Sequence, residues 1–293
     1  MAASTTVAKT RGAWILDLPR RTRQLRLPWI PVLILTVLLV CAVFAPWLAG
    51  HDPTRISMLD SKIAPGFNTS HPLGTDVLGR DMLSRLIYGA RTSVFISLAA
   101  LSTGMIVGTV LGLVAGFKGG LADAIIMRAA DAALGFPTIL VAMIIVVLLG
   151  AGIANIVLAV ALTVWARFAR MIRGEALSIK GMDYVTLAKI AGVSGPVTIW
   201  RHVFPNTVNT LLVITSLSVG QVILLEASLS FLGLGLPPGA PAWGIMVAEG
   251  RTVILDVWWL SLLPGLAITS VVLAFNFFGD WMRDNLDPKL RRI

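Results

Sequence analysis

Apolar residues fall in long blocks along this chain rather than in a fine alternation. The first block, "WIPVLILTVLLVCAVFAPWLA" at 29–49, carries no Asp, Glu, Lys, Arg or His. Five more follow, at about 92–117, 134–149, 153–172, 208–232 and 257–278, the third with an earlier helix start near Leu121 left open. Each approaches the ~20 residues a helix needs to cross a bilayer, so the pattern predicts six transmembrane helices. The first block is long for the core of a secretory leader, and no small-x-small cleavage site follows it. It therefore reads as a retained span.

The polar intervals have patterns of their own. Between the fourth and fifth blocks lies "DYVTLAKIAGVSGPVTIWRHVFPN", residues 183–206. Asp183 is placed to cap a short helix. Tyr184, Leu187, Ala188 and Ala191 then share one compact apolar face, and Lys189 points elsewhere, toward acidic groups of a partner. Gly192 supplies the left-handed turn that ends the helix. Pro196 suits the first turn of a second helix running through Ile199 and Trp200 to Phe204, and Pro205 marks a bend into the fifth span. This is a folded hairpin at 175–206, read either as a lever for a partner or as a structure packed only on its own subunit. The interval at 50–91 is the longest. There, Thr75 or Asp76 can cap an amphipathic helix through Leu78, Met82, Leu83 and Leu86, predicted to lie at the outer surface. The loop "LGLPPGAPAWGIMVAEGR" is rich in proline and glycine, with Trp243 suited to the bilayer interface.

Composition agrees with several spans: of 293 residues, 56% are hydrophobic and 13% charged, and the mean hydropathy is +0.85. Soluble domains carry about 25% charged residues. The net charge of +9 reads as topogenic lysine and arginine rather than a nucleic-acid surface. With the N-terminus inside and six alternating spans, inside segments hold eighteen of the 24 basic residues and outside segments six. That bias predicts both termini, the hairpin and the tails 1–28 and 281–293 in the cytoplasm. The basic tail "LPRRTRQLRLPW" is expected to lie along the anionic leaflet of the bilayer.

Chemistry is sparse. A single cysteine, Cys41, excludes an intramolecular disulfide, and His51, His71 and His202 are scattered without metal-ligand spacing, so no metal site is predicted. There is no G-x-x-x-x-G-K-[ST], H-E-x-x-H or G-x-S-x-G, and "GLGLPPG" at 233–239 is a turn. No catalytic residue is assigned. Gly104, Gly108, Gly112 and Gly116 recur every four residues, in line with Ala100. They form one smooth helix face, for packing within the chain or for an interface with a second subunit. Glu226 lies about 25 Å along the fifth helix from Asn209, toward the outer end; it reads either as a functional acid or as a carboxylate satisfied locally. Arg167, Arg170 and Arg173, spaced by three at the inner end of the fourth span, are predicted to snorkel to the interface or to meet lipid phosphate. No midplane coupling-ion residues and no internal repeat support an ion-coupled secondary transporter.

"HPLGTDVLGRDMLSRLIYGARTS" (71–93), "SFLGLGLPPGAPAWG" (230–244) and the hairpin with "RHVFPN" together resemble the inner-membrane permease subunits of bacterial ABC importers, in the dipeptide, oligopeptide and nickel branch of type I importers. The resemblance covers about 72–288. It implies an all-α polytopic permease fold of six transmembrane helices, with both termini inside and a cytoplasmic coupling-helix hairpin. The permease core is 92–280. It also implies four kinds of partner: a second homologous permease, two cytoplasmic ATPases that bind ATP and magnesium, an extracytoplasmic substrate-binding protein, and the lipid bilayer, with no nucleic acid and no cofactor in this chain. The implied cargo is a dipeptide or oligopeptide, with nickel or its chelates as the alternative. The family's cytoplasmic loop, Glu-Ala-Ala, three residues, Gly, nine residues, Ile-x-Leu-Pro, falls on Thr186, Leu187, Ala188, Gly192 and 202–205. Ala188, Gly192 and Pro205 match; Thr186, Leu187 and His202 depart from Glu, Ala and Ile.

Overall fold

The computed structural model describes residues 27–286, and the basic tail and the last seven residues lie outside that range. Among the described residues the chain is helical, with one isolated β-bridge between Thr75 and Asp81. The helices are α1 (Trp29–Leu48), α2 (Met82–Lys118), α3 (Gly120–Leu134), α4 (Thr138–Leu149), α5 (Ile153–Lys180), α6 (Asp183–Ile190), α7 (Gly195–Thr198), α8 (Phe204–Phe231), α9 (Trp243–Arg251) and α10 (Trp259–Leu286). Five helical runs are long and apolar enough to cross a membrane: α1, α2, α5, Gly195–Phe231 and most of α10. A sixth exists if α3 and α4 count as one span.

That third span departs from the expected continuous helix. Gly135, Phe136 and Pro137 break it, and α3 and α4 meet at 92°. Pro137 has no N–H to donate and disfavours helical backbone at Phe136. The remaining 12 residues of α4 extend about 18 Å, short of the ~30 Å hydrocarbon core.

The outer surface helix expected at 75–86 is also corrected. Asp81, not Thr75 or Asp76, is the cap, accepting from the Ser84 N–H at 2.8 Å, and α2 runs unbroken from Met82 through the predicted second span. Asp76 instead folds a tight loop: one carboxylate oxygen accepts from the Leu78 and Arg80 N–H groups, the other from Arg80 Nε and Arg85 Nη1, both at 2.5 Å. Arg80 and Arg85 also reach Glu249 on α9, at 3.0 and 2.8 Å. Two indoles close this end of the molecule, Trp243 donating to Leu86 O and Trp259 to Thr75 O. The apolar spacing in 78–86 was a true helix signal from Met82 onward; long-range ion pairs decided where the helix begins.

The α2–α5 pair is the most extensive contact in the fold. Gly104, Gly108, Gly112 and Gly116 are all buried and face α5. A Cβ at Gly112 would stand 2.6 Å from Ala169 O, and one at Gly116 would stand 2.7 Å from Ala176 Cβ. In lipid, apolar side chains gain little by leaving one apolar medium for another, so close backbone approach supplies the attraction. Of the two readings, the stripe is occupied by packing within the chain. By contrast α1 buries only Pro31, Leu38, Ala42 and Ala45, and most of its large side chains face outward.

Candidate functional site: a helical hairpin and a half-open groove

The hairpin lies at the end of the molecule opposite Glu249. Its first helix, α6, has Met182 at the N-cap position and no side-chain cap. Asp183 is therefore not the expected cap but the first helical residue, where its charge complements the helix dipole. The exit is as the sequence predicts: Gly192 has φ +80°, with the Gly192 N–H on Lys189 O and the Val193 N–H on Ala188 O. Those two bonds make a Schellman turn, which favours glycine at the left-handed position.

Val185, which the sequence reading passed over, anchors α6. It is buried in a cluster with Leu113, Ile172, Ala176, Ile179 and Val203. One turn on, Lys189 is exposed, and its ammonium stands 5.0 Å over the Phe117 ring of its own chain. Leu187 and Ile190 stay 64% and 77% exposed, with Tyr184 and Ala191 also exposed and Ala188 half-buried. The Thr186 hydroxyl, where the resembling motif has a glutamate, bonds back to Met182 O. The face left open thus carries more apolar bulk than expected, through Ile190. Apolar spacing alone could not tell which strip would be buried.

Pro196 sits in the first turn of α7, as predicted. Pro205 does not mark a bend. A π-helical segment, Ile199–Val203, joins α7 to α8, and the run Gly195–Phe231 counts as one span. In an unbroken α-helix the residue at 205 would donate to Arg201, which proline cannot do. The wider turn, with the Phe204 N–H on Ile199 O, absorbs the fault.

A half-open groove of about 270 Å³ runs between α4, α5 and α8. Thr138, Thr163, Ser218 and Ser228 give it hydroxyls, and Arg167 donates to Gln221 across it. All three arginines have side-chain partners within the chain. Arg167 is midway along α5 and faces the groove. Arg170 pairs with Asp131, and Arg173 grips Asp123 through two bonds of 3.0 and 2.6 Å, fastening α3 to α5. Glu226 does not line the groove. It is fully buried, with Oε1 accepting from Ser230 Oγ at 2.8 Å and Oε2 without a hydrogen bond among the described residues. The histidines correct another expectation: His51 and His71, which have no metal-ligand spacing in sequence, both bring Nδ1 to the Asp81 carboxylate, with ring centroids 4.7 Å apart and planes tilted by 34°.

A multi-span helical chain with a groove that carries hydroxyls, Arg167 and Gln221, and with a folded hairpin between spans, is a membrane transport component. Residues 108–292 match the family described as binding-protein-dependent transport system inner membrane component, and the chain belongs to it. It is thus a multi-pass protein of the inner membrane. It is 42% identical to the di/tripeptide transport system permease protein DppC of Pseudomonas aeruginosa over 89% of this chain and 87% of that one. It is 40% identical to the glutathione transport system permease protein GsiD of Pectobacterium atrosepticum, over 88% and 86%. Identity to the oligopeptide transport system permease protein OppC of Bacillus subtilis is 34%, over 94% and 90%.

Proposed function

We propose that this chain is the non-catalytic permease subunit of an ATP-driven importer for dipeptides or oligopeptides. A binding protein outside delivers the peptide, a second homologous permease closes the open side of the groove, and two cytoplasmic ATPases hydrolyse ATP. The observation that carries this is α6. Its Val185 side is sunk in its own chain while Leu187 and Ile190 stand free at a polar end of the molecule. Exposed leucine and isoleucine on a helix outside the bilayer lose contact with water only when a partner covers them. The peptide assignment rests on the relatives, whose names specify di/tripeptide, glutathione and oligopeptide transport. Both termini and the hairpin are placed inside by the basic bias, eighteen to six.

Proteoliposomes test the reading and its orientation together, with Cys41 replaced by alanine and single cysteines put at Leu59 or Ser194. Added with its partner permease, the ATPases and a binding protein, the chain supports peptide uptake only with ATP on the side where Ser194→Cys is labelled and Leu59→Cys is not. Peptide uptake by this chain alone down an ion gradient contradicts the proposal.

A further inference from the structure

The loop end of the fold carries a side-chain cluster that neither the groove nor the hairpin uses. His51 follows the end of α1, His71 lies twenty residues later in the loop, and Asp81 caps α2. One ligand-capable atom from each falls within 4.8 Å of the others. His71 Nδ1 is 2.9 Å from Asp81 Oδ1, and His51 Nδ1 is 3.9 Å from Asp81 Oδ2. We propose that His51, His71 and Asp81 form a resident binding site for a single divalent transition-metal ion, Zn²⁺ by ligand type, which pins the loop to the start of α2.

The distances fit an ion. Ligands about 2.0–2.1 Å from zinc in a tetrahedral site stand roughly 3.4 Å apart. The observed separations of 2.9, 3.9 and at most 4.8 Å bracket that value. Side-chain rotation of His51, the most exposed partner, closes the difference. A hydrogen bond explains the 2.9 Å contact of His71 but not His51, whose Nδ1 at 3.9 Å is beyond hydrogen-bond reach of the carboxylate it faces. Exposure is graded as in a site with one open position: the Asp81 side chain is 3% accessible, His71 12% and His51 37%. Two imidazoles and one carboxylate, with a water in the fourth position, are the donor set of a three-ligand zinc site. Beside His51 a solvent-open pocket lined by Pro46, Gly50, Asp52, Pro53 and Tyr88 gives an ion access.

The site has a mechanical consequence. The stretch 50–81 contains only one short 3₁₀ turn, Met58–Asp60, and no longer helix. Its ends are held by His51 N–H on Ser84 Oγ and by the Asp76 network. A metal would tie its middle, through His71, to both. This holds whatever the cargo.

The test uses the full chain, purified with a tag free of histidine, stripped with chelator and exchanged into buffer with Zn²⁺ alone. Metal analysis and calorimetric titration should find one Zn²⁺ per chain, and Zn²⁺ should raise the thermal unfolding midpoint. His51→Gln and His71→Gln should each weaken binding at least ~100-fold and abolish the shift. His202→Gln should leave both intact. His51 is partly exposed, so His51→Gln reports on the site without a folding defect. Absence of stoichiometric Zn²⁺, wild-type Zn²⁺ affinity in either ligand variant, or a stabilisation that follows pH through the histidine range but ignores Zn²⁺ would each overturn the proposal.

Discussion

Glycines at different places in this molecule do opposite work, and substitution should separate them. Gly108 is pressed against the α5 backbone at Trp165 O, with Phe168 Cβ 2.6 Å from where a Cβ would sit. Gly174, inside α5 itself, has nothing within 4 Å of its Cβ position. Gly108→Ala should therefore force α2 and α5 apart and destabilise the fold by about 1–3 kcal/mol, the usual cost of overpacking. Gly174→Ala should stabilise by ~0.5–1 kcal/mol, because a helix-interior glycine loses more backbone freedom than alanine. Thermal or denaturant unfolding in bicelles reads both, and equal effects would show that the stripe is not the contact. The stripe itself was legible, since a spacing of four defines a face. Which helix it meets was not. Nor was the histidine pair, because His51 and His71 are brought together by the loop's tertiary course and not by any local repeat.

Among the elements, α6 best shows how far local chemistry reaches. Its length, its Schellman exit at Gly192 and the Pro196 start of α7 follow from residues within a turn of each feature, and the sequence displays them. The anchoring by Val185 and the contact of Lys189 with an aromatic ring depend on where Ile172 and Phe117 stand, far away in sequence. The same distinction explains α2, whose start is decided by Arg80 and Arg85, held by Asp76 and meeting Glu249 more than 160 residues later. It explains Arg170 and Arg173 too, since the broken third span brings Asp131 and Asp123 within reach. At Gly192 space is open but φ is +80°, so strain and not crowding governs substitution. A β-branched residue there costs ~1–2 kcal/mol in the left-handed region, where asparagine is tolerated. Gly192→Val should then redirect α6 and abolish transport with normal membrane insertion, while Gly192→Asn retains most of it, as measured by peptide uptake in cells. Equal activity of the two variants would separate the turn from transport.

At the scale of the whole molecule, the groove and the hairpin share their helices. Arg167 and Arg173 lie on α5, Gln221 on α8, and α6 and α7 link the two. A push on α6 is delivered through the buried Val185 cluster to α2, α5 and the π segment before α8. The groove walls α5 and α8 are thus the parts a moving ATPase would shift. Five spans were readable because burial in lipid needs long runs without charge, while the break in the third was not; nor was the groove, because its polar residues are single positions on three separate helices. The most direct test of the coupling reading is peptide-stimulated ATP hydrolysis by the reconstituted assembly, comparing wild type with Leu187→Glu/Ile190→Glu. These residues do not hold α6 to its own chain, so the variant should fold and insert. Loss of two apolar anchors costs ~2 kcal/mol or more at an interface, about 30-fold in affinity. The expected result is that the ATPases no longer copurify and stimulation by peptide disappears. Undiminished stimulation with the ATPases still bound would contradict the account.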